Sequence, residues 1–325
     1  MASLAQLDDR RELTEEGASP APRRPMGWTS ASGAKLLRRY IANPVRRVPT
    51  GLPFLDPLIG GGIGVGEVGV VVAKSGVGKS FFAQHVLESN LGVPTAFASL
   101  EMPGPLVIRR SLAIWAKMSS EEVFQQIEKG ELDDDLLERW AEAHAKTFYS
   151  TLGSITIDGL ARLIEEAEEQ IGEKPALVAV DYLELVKGSV GEGAVEQVTG
   201  IAEQLKSFAK EHEVGLLVLH QANRGLQHGR PPHEDSSRYG GFTEADVVFG
   251  LWDPSKWRPQ NRQEENDFNM DQVMRWEGWR GVNIIKNRIL GRTNHLGWNV
   301  RLTDAGGLKV DNPHDWRDNA VLARF

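Results

Sequence analysis

The amino-acid sequence predicts an α/β fold with a mainly parallel central sheet flanked by helices. Three observations predict it. From Val48 onward, short apolar runs alternate with longer helical patterns. The apolar runs, VGVVVA and ALVAV among them, are continuous, as in strands covered on both faces. The first of them leads through a Gly-rich turn into a helix, the setting of a phosphate-binding loop.

Residues 1 to about 33 are rich in Ala, Pro, Ser, Arg and Glu and predict a flexible tail. In AKLLRRYIANP, Ala34, Leu37 and Ile41 share one helical face, and Pro44 stops the helix. That face has two open destinations, its own domain or a neighbouring subunit. GEVGVVVAK is a buried strand, and SGVGKSFFAQHVLESN is loop and helix. PTAFASL is a strand and PLVIRRSLAIWAKM a helix. A polar helical stretch runs from Ser119 to about Lys146, with Ser119 and Glu122 spaced as a capping box. SITI is a short strand, and GLARLIEEAEEQI is a helix with a solvated acidic face. ALVAVDYLEL and VGLLVLHQ are buried strands on either side of the helix VEQVTGIAEQLKSFAKEH. EADVVFGLW and VNIIKNR are later strands, and LGWNVRL to GLKVD is a final hairpin. The expected division is a tail with a short linker helix over 1–47, a core over 48–312 and a C-terminal tail over 313–325.

Composition limits the partners. Lys plus Arg number 37 and Asp plus Glu 45 in 325 residues, a net charge of −8. No global attraction to nucleic acid or an anionic membrane follows, so any DNA-binding cations must be concentrated on one surface. Cysteine is absent, which excludes disulfides, thiolate catalysis and Cys-ligated zinc. The N-terminus lacks the apolar core of a signal peptide, and no apolar run approaches the ~18 residues of a membrane span. The expectation is a soluble cytoplasmic protein of a bacterial cell or a phage-infected host, with no membrane partner. Of nine Trp residues, Trp252, Trp257, Trp276 and Trp279 crowd one stretch, for which the sequence indicates only packing or interaction.

The strongest local signal is Ala73-Lys74-Ser75-Gly76-Val77-Gly78-Lys79-Ser80. Glycines let backbone N–H groups curl around phosphate oxygens, and the helix N-terminus adds partial positive charge. Ser75, Gly76, Val77, Gly78, Lys79, Ser80 and Phe81 form the candidate nucleotide-binding run for ATP. Lys79 would reach the β- and γ-phosphates, and Ser80 would offer its hydroxyl to Mg²⁺. Asp181 ends a buried strand, where a carboxylate holds Mg²⁺ or merely caps a turn. Glu101 ends the strand after the P-loop helix, where it could polarise an attacking water or serve as a first-turn acid. Gln221 ends another strand, placed to hydrogen-bond the γ-phosphate or to be a plain loop residue.

TGLPFLDPLIGGG, VVVAKSGVGKS, FASLEMP, LVAVDYLEL, IAEQLKSFAKE, VLHQANR, EADVVFGLW and IIKNR resemble, in order, the RecA-like ATPase core of DnaB-type hexameric replicative helicases. The resemblance covers about Val48 to Val310. It implies a P-loop ATPase, Glu101 as catalytic base, Lys79 and Ser80 as the Walker-A pair, Asp181 as the Walker-B acid and Gln221 as sensor. It places the family's K-x-R pair, which enters the neighbouring subunit's ATP site, on Lys286 and Arg288. Alternation along the strand puts these two cations on one face. The family's usual N-terminal helical domain has no counterpart in the roughly 47 residues before the core, and DSSRYGGFTEAD keeps only part of the family pattern.

The loops 187–194 and 222–241 carry the candidate DNA contacts: Lys187 in the first, and Arg224, Arg230 and Arg238 in the second. Six copies around a channel would concentrate positive charge there while the outside stays acidic. The implied function is an ATP-dependent helicase or translocase acting as a ring on single-stranded or forked DNA, in replication, with a primase or loader as further partners. Two other classes stay open on the sequence: a filament-forming RecA-like recombination ATPase, and a structure-specific nuclease on an ATPase scaffold. The acidic run Asp133–Asp135 is better explained as a helix N-terminus than as a nuclease metal site.

Overall fold

The structure is a computed structural model of the chain that describes residues 29–42, 44–188, 194–236, 244–267, 269–303 and 308–315. The strands are β1 (Arg47–Val48), β2 (Ile63–Gly64), β3 (Val68–Ala73), β4 (Thr95–Ser99), β5 (Thr147–Thr151), β6 (Ile155–Thr156), β7 (Leu177–Asp181), β8 (Val186–Lys187), β9 (Gly215–Gln221), β10 (Val247–Trp252), β11 (Trp279–Asn287), β12 (Asn294–Leu302) and β13 (Leu308–Asp315). The helices are α1 (Ser30–Ala42), α2 (Lys79–Glu88), α3 (Gly104–Ala116), α4 (Ser120–Lys129), α5 (Asp134–Ala143), α6 (Ile157–Ile171), α7 (Ala194–Glu211), α8 (Arg262–Asp267) and α9 (Met270–Met274). The chain divides into two compact units, Met1–Val45 and Arg46–Phe325. In the first, the described secondary structure is α1, on which Leu37 and Ile41 are exposed.

In the second unit, nine strands among the described residues form one sheet in the order β13-β12-β11-β10-β3-β9-β7-β4-β5. The six from β10 to β5 are parallel. The other three are antiparallel and extend one edge. β3 shows why its sequence is apolar throughout. Val70 and Val72 face a core shared with Leu160 and Ile164 of α6 and Leu205 and Phe208 of α7. Val71 and Ala73 face the opposite core, with Phe82 and Val86 of α2. Each of these Val, Leu, Ile and Phe side chains contributes about 1.5–3 kcal/mol by leaving water. Truncating Phe82, which is fully buried, would cost about 3–5 kcal/mol.

Helix ends follow their local chemistry. Thr156 caps α6 by accepting from the Gly159 N–H at 3.0 Å, and Gly172 ends it in a left-handed turn at φ 81°. The buried face of α6 is Leu160, Leu163, Ile164 and Ala167, at helical spacing. Ser119 caps α4 as the capping-box spacing predicts, accepting from Glu122 N–H at 3.0 Å. Asp133 caps α5, so the acidic run is a helix start.

The structure departs from the sequence expectation between 119 and 156. The polar stretch is two helices, α4 and α5, separated where Gly130 takes φ 67°. One edge strand of the sheet is β5, Thr147–Thr151, which the sequence pattern does not reveal, whereas SITI supplies only the two-residue β6 before α6 begins. A half-buried edge strand leaves little alternation to detect: only Thr147 of β5 is buried.

α2 is fastened at its far end by a buried polar knot. His144 Nε2 lies 3.0 Å from both carboxylate oxygens of Glu88. Ser111 Oγ donates to Glu88 Oε1 at 2.5 Å, and Trp140 Nε1 donates to Ser111 Oγ at 3.1 Å. The knot ties α2 to α3 and α5. Among the described residues, no helix is long and apolar enough to cross a membrane.

Candidate nucleotide site

Four strand ends build the site. β3, β9, β7 and β4 are adjacent and parallel, so Ala73, Gln221, Asp181 and Ser99 share one edge of the sheet. Open α/β sheets bind ligands at that carboxyl edge. The chain leaves β3 through Lys74–Gly78 and enters α2 at Lys79. Gly76 at φ 76° and Gly78 at φ 116° occupy backbone conformations that a side chain would strain. The curl places the first N–H groups of α2 where an anion would sit.

Lys79 Nζ lies over this turn, 3.3 Å from the Ala73 carbonyl and 3.4 Å from that of Lys74. Burial lowers its pKa, against the opposing pull of the carboxylates of Asp181, Glu184 and Glu101. Asp181 is buried at the end of β7, and burial raises its pKa against a hydrogen bond from Ser80. Its Oδ2 is buried with no hydrogen-bond partner among the described residues. An unsatisfied carboxylate oxygen beside a serine hydroxyl suits a hard divalent cation that keeps part of its water shell, so Ser80 and Asp181 fit Mg²⁺. Glu101 is exposed just past β4 and acts electrostatically on both Lys79 and Asp181. The Gln221 N–H donates to Glu184 Oε1 at 3.2 Å. Glu184 also faces buried His220, whose Nδ1 is 3.4 Å away. Burial would raise the Glu184 carboxyl, but the hydrogen bond and charge of His220, with backbone donors, bring it below the ordinary value.

The structure thus gathers Ser75 through Phe81, Glu101, Asp181 and Gln221 at one edge. It places Lys286 and Arg288 at the other. The Arg288 N–H donates to the Asp246 carbonyl at 2.7 Å, and the Asp246 N–H donates to the Val68 carbonyl at 2.8 Å. Arg288 therefore stands level with the start of β3, while the phosphate loop follows its end. At ~3.3 Å per residue the five steps from Val68 to Ala73 span about 17 Å. Arg288 is about half exposed and lies 3.6 Å from Glu244. Lys286 is partly buried, and burial with the charge of Arg288 lowers its pKa.

Of the expected DNA contacts, Arg224 and Lys187 are exposed. Lys74 Nζ donates to the Arg224 carbonyl at 3.0 Å, which joins the phosphate loop to the loop after β9. Arg230 is instead engaged within the chain. It pairs with Glu264, which is 4% exposed, and its guanidinium lies 5.4 Å from the Trp257 ring centre. The cation that the sequence offers to DNA is thus used to hold α8 and Trp257 against its loop. Arg238 lies outside the described residues, as do 189–193 and 237–241 of the two loops.

Three features of the site go beyond the sequence expectation. Arg110 of α3 sits 4.8 Å from the Phe81 ring centre and feels the charges of Asp181 and Glu101. Glu184 and His220 support Gln221. Arg280, from the Trp-rich stretch, donates from Nε to the Val77 carbonyl at 2.7 Å. The position of Glu184 just after the Asp181 strand is the sole sequence cue among them. Within the same stretch, Trp252 and Trp257 are buried.

The chain is 28% identical over 220 residues to the replicative DNA helicase DnaB of Helicobacter pylori, covering 64% of this chain and 44% of the relative. It is 30% identical over 213 residues to that of Treponema pallidum, covering 63% and 47%. The chain thus spans a little under half the length of these curated relatives. Two solved structures share the fold. One is an ATPase domain, at TM-score 0.67 and 17% identity over 87% of this chain and 99% of that one. The other is a DnaB-like replicative helicase studied with primase, at TM-score 0.64 and 17% identity over 87% and 67%. The model of the DnaB-like helicase C-terminal domain matches residues 47–297, and the chain belongs to that family.

Proposed function

We propose that this chain is an ATP-driven helicase or translocase that works on single-stranded or forked DNA as a ring of like subunits, six in number, during replication. The observation that carries the proposal is the separation along β3. The phosphate loop, Asp181, Glu101 and Gln221 share one edge, and Arg288 is about 17 Å of strand away at the other. Such a chain holds the two halves of an ATPase site but cannot join them by itself. A neighbour's Lys286 and Arg288 would complete it.

In this site the N–H groups of the loop and the Lys79 ammonium bind the phosphates. Ser80 and Asp181 hold Mg²⁺, which when bound neutralises phosphate charge. Glu101 accepts a proton from the attacking water, and Gln221 hydrogen-bonds the γ-phosphate or that water. Arg288 of the next subunit offsets the charge that develops as the terminal phosphate leaves, an effect worth about 10³ or more in rate in related chemistry. Arg224 and Lys187 supply cations to the DNA path, and the Lys74 bond to the Arg224 carbonyl links that path to the nucleotide. The cytoplasm of a bacterial cell or an infected host, with a primase or loader at hand, is the matching setting.

The test mixes two inactive variants. Arg288→Ala and Lys79→Ala should each abolish ATP-dependent separation of a forked duplex, and Arg288→Ala should still bind nucleotide. Mixed subunits should recover part of the hydrolysis, because some interfaces then pair an intact loop with an intact Arg288. No recovery in the mixture, or full turnover by a dilute monomer, would overturn the shared site. Electron micrographs with an ATP analogue and single-stranded DNA should show closed rings. Extended filaments would instead indicate a recombination ATPase. DNA cleavage that persists in Lys79→Ala would indicate a nuclease.

A further inference from the structure

We propose that Arg280 is a positioning residue for the phosphate loop, fixing the Val77–Gly78 peptide so that the Gly78 N–H is aimed at bound phosphate. The inference rests on the nucleotide reading above and adds a specific part to it.

Arg280 is the second residue of β11. Its neighbour Gly281 pairs with Trp252, at the end of β10, and Leu251 of β10 pairs with Ala73, at the end of β3. The two pairings bring Arg280 to the carboxyl edge, beside a loop 203 residues earlier in the chain. Its Nε donates to the Val77 carbonyl at 2.7 Å, and one terminal nitrogen donates to the Trp279 carbonyl at 2.7 Å. That nitrogen also lies 3.5 Å from Asp253 Oδ2, and the side chain is 16% exposed. A planar guanidinium held at several points is a rigid fork.

The strand end that carries it is held as well. A Cβ at Gly281 would come within 1.9 Å of Trp252, so the indole lies directly on that backbone. The Trp-rich stretch thereby gains a role, as the stiff shelf from which Arg280 reaches.

The effect on the loop follows from peptide geometry. In a planar trans peptide the carbonyl and the next N–H point in opposite directions. Holding the Val77 carbonyl on Arg280 therefore turns the Gly78 N–H away from Arg280. Gly78 at φ 116°, with Gly76 two residues before it, would otherwise sample many orientations. Setting that orientation in advance reduces the ordering cost of binding. P-loop N–H groups cradle the α- and β-phosphates, so the benefit applies to ADP as much as to ATP. A residue that contacts the γ-phosphate would favour ATP alone.

Titration of the full chain with fluorescent ATP and ADP analogues tests this, with thermal melting recorded without nucleotide. Arg280→Met keeps the packing of the stem and removes every donor. It is expected to weaken both nucleotides by the same factor, about tenfold. Arg280→Lys, which restores one cationic donor, should recover part of the loss and show faster deuterium exchange than the parent over residues 76–80. Parent-like affinity in Arg280→Met, equal losses in the Met and Lys variants, or a loss confined to ATP would each overturn the inference and leave the nucleotide reading intact. If only Arg280→Lys folds, parent-like affinity together with parent-like exchange over residues 76–80 would overturn it. A parent chain that binds neither nucleotide would defeat the nucleotide reading itself.

Discussion

Lys206 of α7 donates to Asp246 Oδ2 at 2.6 Å, and the same oxygen accepts the Val68 N–H at 2.7 Å. Both side chains are 15% exposed. One carboxylate thus ties α7 to the start of β3 and stands just before β10, while its own backbone carbonyl receives Arg288. Removing one partner of such a mostly buried pair strands the other charge, at about 3 kcal/mol. Asp246→Ala should lose that much stability in urea titrations, and Lys206→Ala a similar amount. The double variant should lose clearly less than the sum of the two. Asp246→Ala should also slow hydrolysis, since the turn that presents Arg288 is loosened.

Glu101 is exposed at a strand end while Lys79 and Asp181 are mostly buried. Its proposed role is proton acceptance, not binding. Glu101→Gln should lower ATP turnover by about 10²–10⁴ and leave nucleotide affinity within about threefold. Single-turnover hydrolysis alongside equilibrium binding measures both. A variant that loses affinity and turnover together would move Glu101 from chemistry to binding.

His85 of α2 is partly buried and accepts the Leu308 N–H of β13 at 3.4 Å, and burial lowers its pKa to about 4. The folded chain therefore keeps His85 neutral where an unfolded chain, with its pKa near 6.5, already takes a proton. Stability from this group is fully present above about pH 6.5 and is lost as pH falls towards 4. The total is about 3 kcal/mol at 1.36 kcal/mol per unit. His85→Gln should flatten the decline of unfolding free energy between those two values.

Arg224 and Arg230 lie six residues apart and should behave oppositely. Arg224→Ala should weaken single-stranded DNA binding and reduce the salt dependence of the affinity by about one ion. Arg230→Ala should leave the DNA affinity close to the parent's, yet cost about 3 kcal/mol by removing the cation paired with buried Glu264. Titrations at several salt concentrations, with urea unfolding, separate the two outcomes.

What could be learned from the sequence divides along a physical line. The phosphate loop from Lys74 to Ser80 is contiguous, and its residue types follow from the anion it would hold. Strands such as β3 and β9 announce themselves as unbroken apolar runs because both faces are covered. Contacts between distant segments carry no such local sign. Arg280 meets Val77 across 203 residues, and Gln221 meets Glu184 across 37. Arg230 looks like an available cation until Glu264, 34 residues later, is brought against it. β5 is hard to detect because an edge strand with a single buried residue scarcely alternates.

The opposed placement of the phosphate loop and Arg288 along β3 has an arithmetical consequence. Join such chains edge to edge in an open row, and the finished sites number one fewer than the chains, with an idle half at each end. Bend the row until its ends meet, and the two leftovers become one more working centre. Closing the circle would then be rewarded in catalysis as well as in contact area.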